Sequence, residues 1–147
     1  MRRSLRGHIL ASLAAALTAA MLLACQAKSP EEDLMKKVEP VGSWLASLEM
    51  TGQKWVTNSV PTSFVRNITA AARKELDKAA EEAGRSTARP ALRDPLRKIL
   101  AEATAANAGL RQAVAANDRH QLVQEVARLA GLHARFEALR KAEEGGP

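Results

Sequence analysis

Few residues of this chain have types and spacings suited to chemistry. They are a single cysteine, Cys25, two histidines in the second half, His120 and His133, and four arginines, Arg85, Arg89, Arg93 and Arg97, recurring every fourth residue. The histidines stand thirteen residues apart, about 220° around one helix, so they cannot share a metal within it. The Glu-x-x-His spacing of a di-iron bundle is missing, because Asn117 and Ala130 occupy the positions three before each histidine. With one cysteine there is no intramolecular disulfide, no cysteine-rich zinc site and no Cys-x-x-Cys-His for covalent haem. Neither histidine lies beside a serine or an acid in a recognisable nucleophile–base pattern, so no catalytic residues are assigned and the chain is not read as an enzyme. The four arginines are open to two readings: a basic strip that meets phospholipid headgroups or anionic polymers, or a solvated helix face. Pro90 and Pro95 interrupt the strip's geometry.

The surroundings of Cys25 define its chemistry. Arg2, Arg3 and Arg6 precede an apolar run from Ile9 to Ala24 that ends in Leu22-Leu23-Ala24-Cys25, the layout of an export signal. Its sixteen residues reach about 24 Å as a helix, short of the roughly 30 Å hydrocarbon core, which favours a cleaved signal over a retained span. This segment resembles the lipobox of bacterial lipoproteins, with Leu22 and Ala24 fitting the pattern and Leu23 bulkier than usual. The resemblance implies a signal peptide over residues 1–24, diacylglycerol on the Cys25 sulfur, and a mature chain that begins at that cysteine with two or three fatty-acyl chains. It also implies anchorage on the periplasmic side of a membrane. Gln26 is not the aspartate that retains many such proteins at the inner membrane, so the outer membrane is favoured in a cell with two.

A second, five-residue likeness concerns His133. Leu132-His133-Ala134-Arg135-Phe136 is similar to the region around the haem-ligating histidine of four-helix cytochromes, where an aromatic follows the histidine by three. Leu129 and Leu132 stand where the covalent type needs cysteines, so the resemblance implies only noncovalent haem, with Met35 or Met50 as second ligand. The other reading is a core-edge histidine and gap-filling methionines, with no cofactor.

The elements that position these residues are helical. The signal takes three arginines and no acid with it, lowering the net charge from +6 to +3, and nucleic acid is not an expected partner of an exported chain. Ser29-Pro30-Glu31-Glu32 reads as a helix start after a linker of residues 25–29. Leu34, Val38, Val41, Leu45, Leu48, Gly52 and Trp55 then form one stripe to about Asn58, interrupted by Pro40. Trp44 and Trp55, about 20° apart on an ideal helix, should face a common neighbour. Phe64, Ile68, Ala71, Ala72, Leu76, Ala79 and Ala83 give a second stripe stopping at Gly84. Leu92, Leu96, Ile99, Ala103, Ala106, Leu110 and Ala113 give a third, whose regular part is expected to begin at Asp94-Pro95 and to close at Asn117. Asp118 and Gln121 open a fourth stripe of Leu122, Val126, Leu129, His133 and Phe136, widened by Leu132 and Leu139, within a bundle domain ending near residue 141 and a frayed tail beyond.

Four such helices with short connections predict an all-α fold, an antiparallel up-down-up-down four-helix bundle. The alternatives are a three-helix unit with a loose first helix, or a hairpin completed in a dimer. The functional expectation is a membrane-anchored lipoprotein of the envelope that binds an envelope protein or polymer in an accessory or structural role, as monomer or homodimer. A ligand or haem carrier using His133 is the alternative.

Overall fold

The computed structural model describes residues 28–145, so Cys25 and the signal segment lie outside the described residues. The fold is all-α. Its helices are α1 (Pro30–Val38), α2 (Pro40–Val56), α3 (Thr62–Arg85), α4 (Pro90–Ala116) and α5 (Arg119–Glu144). Helices α1 and α2 are one helix interrupted at Pro40. Proline has no N–H to continue the ladder, yet Glu39 keeps helical angles (φ −48°, ψ −41°), so the apolar stripe runs straight across the break. Counted this way the molecule is an antiparallel up-down-up-down four-helix bundle. Each long helix packs on its neighbours in sequence, α2 closes the ring against α5, and diagonal pairs scarcely touch.

The stripes of α1–α2 and α4 are the ones the spacing predicts. Leu34, Val38, Val41, Leu45, Leu48, Gly52 and Trp55 are buried, as are Leu92, Leu96, Ile99, Ala103, Ala106, Leu110 and Ala113. The first helix is therefore part of the core and not a loose appendage. In α5 the interior positions are Leu122, Leu129, Leu132 and Phe136, with Val126 and Leu139 partly buried.

Four expectations are corrected. The stripe of α3 begins one residue later than the size of the side chains suggests: Val65 and Thr69 are fully buried, whereas Phe64 is 44% exposed and Ile68 half-buried. Thr69 tolerates the interior because its hydroxyl donates back to the Val65 carbonyl (2.9 Å). Val65, Thr69, Ala72, Leu76, Ala79 and Ala83 then alternate spacings of four and three along the whole helix. Secondly, α4 starts at Pro90 and runs through Pro95. Pro90 suits the first helical position, and the carbonyl freed by Pro95 belongs to exposed Ala91, while fully buried Leu92 and Leu96 hold the turn. Thirdly, α3 passes Gly84 and ends at Arg85, and α5 stays helical through Glu144 because Glu143 is tied to Arg89. Finally, the two tryptophans are not equivalent, for Trp55 is buried and Trp44 only partly so.

Capping fixes the remaining ends. Ser29 Oγ accepts from the Glu32 N–H (3.1 Å), and Asp118 Oδ1 from the Gln121 N–H (2.9 Å). Asn58 and Asn117 take the left-handed turns after α2 and α4, with φ of 57° and 54°. Between α3 and α4, buried Asn107 donates Nδ2–H to the Thr69 carbonyl (3.0 Å), which sets the register of these two helices.

Close approach of α2 to α5 depends on glycine. A methyl group at Gly52 would overlap Val126 Cγ2 and sit 3.2 Å from Leu110 Cδ1. Gly52→Ala is therefore expected to destabilise the bundle by about 1–3 kcal/mol despite alanine's better helix propensity. Denaturant melts of Gly52→Ala and of Gly52→Ala/Val126→Ala check this: removing the valine methyls should return part of the loss.

Candidate functional site

The up-down topology gathers the chain into two chemically different ends. The starts of α1 and α4 and the finishes of α3 and α5 form the end at which the described residues begin. We call it proximal. The finishes of α2 and α4 and the starts of α3 and α5 form the distal end. Helix α4, with 27 residues, separates them by about 40 Å.

The proximal end is knitted by ion pairs. The Arg89 backbone N–H donates to Glu31 Oε1 (2.9 Å), and its guanidinium Nη2 donates to both Glu143 oxygens (2.8 and 2.9 Å), joining α1, the α3–α4 connection and α5. Lys37 bridges Asp33 (3.0 Å) and Glu82 (3.2 Å), fastening α1 to α3. The hydrogen bond from the Arg89 N–H holds the Glu31 carboxyl below its ordinary range, Lys37 does the same for Glu82, and Arg140 for Glu137. Higher up, Arg135 depresses Glu102 across α4 and α5.

The sign of the resulting pH dependence follows. A carboxyl depressed in the folded state stabilises it above its unfolded value, about 4.3 for glutamate, and that contribution disappears as pH falls through the folded value. The midpoint of thermal unfolding should thus be level near neutrality and drop below about pH 4.3. Glu82→Gln, which removes a carboxyl that Lys37 holds down, should lower the neutral midpoint and flatten the acid limb, which circular dichroism across pH 3–7 will show.

These contacts determine the roles of the arginines singled out by spacing. Arg85 ends α3 and pairs with Glu82 (3.1 Å) and Glu81 (3.6 Å). Arg89 precedes α4 and is committed to Glu143, while Arg93 lies near Asp94 (3.6 Å). Arg97 is exposed on α4. The four therefore do not make one continuous strip, since they are divided between two helices and their connection, and three of them serve internal carboxylates. His133 is half-buried on α5 one turn before Glu137. It lines neither the clefts of the proximal end nor those of the distal end. Met35 sits at the proximal cleft beside Glu143 and Met50 is 51% exposed. Among the described residues no three histidine, cysteine or acidic side chains converge as a metal site, and no helix is long and apolar enough to cross a membrane.

No protein-family model, curated protein or solved structure matches this chain.

Spacing did not reveal the distal end. There Trp55 donates its indole N–H to Thr62 Oγ1 (3.1 Å), linking α2 to the start of α3. The Arg119 guanidinium lies over the Trp55 ring, 5.9 Å from its centre, and donates to the Val56 carbonyl (2.9 Å) and to Asn58 Oδ1 (2.7 Å). Beside this assembly is an open groove of about 780 Å³, with Thr62 and Arg66 on the α3 wall, Ala108, Arg111 and Gln112 on the α4 wall, and Trp55 also in its lining. The one signal for it in the sequence is an absence of acids, from Met50 to Lys74 and from Ala103 to Asn117.

Proposed function

We propose that this protein is a lipid-anchored component of the bacterial cell envelope that works by binding, in an accessory or structural capacity, without catalysing a reaction. The observation that carries this reading is the spacing between Cys25 and the first helix. Ser29 caps α1, so four peptide units separate the proposed lipid-bearing cysteine from the bundle. Fully extended they span about 14 Å. A bundle tethered this closely stands with its proximal end near the headgroups and its distal end projecting about 40 Å further. The paired charges of the proximal end suit that place, because arginines engaged with protein carboxylates stay satisfied near a surface. Two or three acyl chains, each buried methylene contributing about 0.8 kcal/mol, make such a tether stable. Gln26 favours the outer membrane where there are two, and the projecting end is the part offered to an envelope protein or polymer.

Feeding the host a labelled fatty acid tests this reading. The wild-type chain should take up label and Cys25→Ser should not. Equal labelling of both forms, or of neither, would remove its basis.

A further inference from the structure

We propose that the distal groove between α3 and α4 is a binding site for an oxyanion, a phosphate or a carboxylate, clamped between Arg66 and Arg111. The inference does not depend on the lipid at Cys25, since it rests on the described bundle alone. The Asn107–Thr69 hydrogen bond puts those two residues at one level of the antiparallel pair. Arg66 lies three residues beyond Thr69 toward the distal end and Arg111 four beyond Asn107, axial advances of about 4.5 and 6 Å. The two arginines thus stand at nearly the same height on opposite walls of one groove. Among the described residues neither forms an ion pair.

The contrast with the proximal end separates this groove from an ordinary solvated face. Two clefts of about 560 and 520 Å³ lie there, and each lines its cations with carboxylates: Asp33 and Glu82 in one, Glu31, Glu32, Glu143 and Glu144 in the other. The distal groove is larger and has no acidic lining residue. Asp118, the acid nearest in sequence, caps α5 through the Gln121 N–H. The donors around the arginines point to the same ligand chemistry. Helix α3 opens without a side-chain cap after Pro61, which leaves the N–H of Thr62, a residue of the groove lining, without an intrahelical partner. Thr62 accepts from Trp55 and so keeps its own hydroxyl proton to donate. Gln112 and Asn117 add neutral donors along the rim. Two guanidinium forks from opposite walls match paired oxygens of a carboxylate or phosphate better than a single ammonium would. Arg119, held by Val56, Asn58 and the Trp55 ring, is not free to fill the groove itself.

The test is calorimetric titration of the full chain, purified from its host in detergent, with inorganic phosphate and separately with N-acetylglycine as a carboxylate probe. Saturable binding of at least one probe in about the millimolar range is expected. A response to phosphate alone or to the carboxylate alone supports the site and identifies its head group. Arg66→Gln and Arg111→Gln, both at exposed positions, should each weaken binding about tenfold or more with unchanged melting. Lys78→Gln, which removes an exposed cation elsewhere on α3, should leave binding as it is. Failure of both probes to saturate below about 10 mM overturns the proposal. So does an equal loss in the Lys78 variant, which would mark the interaction as general charge attraction.

Discussion

Phe136→Ala is expected to cost about 3–5 kcal/mol. The ring is fully buried where α5 meets α2, and its edge lies 3.3 Å from the position a side-chain carbon would take at Gly42, a neighbour with no side chain to move into the space. Much of the surrounding interior is alanine: Ala72, Ala79, Ala83, Ala103, Ala106 and Ala113 are all buried. Small residues let the helices approach but contribute little area each, so large side chains such as Phe136, Trp55 and the buried leucines carry a disproportionate share of the stabilisation. A loss of that size lowers the melting temperature by roughly 10–20 °C. Calorimetry of the variant beside Phe136→Leu checks it. The leucine, which keeps most of the volume, should lose less than half as much.

Cys25→Ser is expected to have the largest effect on behaviour in the cell. If acyl chains hold the protein at the membrane, their removal takes away several kcal/mol of partitioning per chain, and the variant should leave the membrane fraction almost completely. Fold should be untouched, because α1 is capped at Ser29 and the described core begins at Leu34. Fractionation after alkaline washing, with circular dichroism of the released protein, separates the two effects. A variant that stays with the membrane would require another means of attachment.

The parts of this fold that can be read from the sequence are those where large apolar residues coincide with the heptad spacing. Leu34 through Trp55 and Leu92 through Ala113 are of that kind, and their stripes are buried as spaced. The start of α3 is not, because Phe64 and Ile68 outweigh Val65 and Thr69 in hydrophobicity while the smaller pair lies on the line that continues through Ala72 and Leu76. Only the packed neighbours α2 and α4, with the back-bonded hydroxyl of Thr69, decide which face turns inward. Pro95 misleads for a related reason: a proline near a helix start is tolerated when the freed carbonyl faces water and the next turn is anchored in the core.

The candidate sites divide in the same way. Cys25 is proposed from contiguous residues alone, because the signal for such a covalent modification is local, and it lies outside the described residues. The arginines at spacing four were legible as a pattern but not in their roles, since Glu143 is 54 residues from Arg89 and only the folded bundle brings them together. Arg66 and Arg111 belong to no local motif at all. Their shared groove exists because Asn107 and Thr69 set the register of two antiparallel helices.

The proposed function stands or falls on whether Cys25 carries lipid and holds the bundle by its proximal end. The measurement that tests it most directly is the intact mass of the protein recovered from the membranes of its own host. Lipidation predicts a chain beginning at Cys25 whose mass exceeds that of the polypeptide by two or three fatty-acyl chains with their glycerol. A mass equal to the unmodified polypeptide, with the signal retained or cut elsewhere, would contradict it.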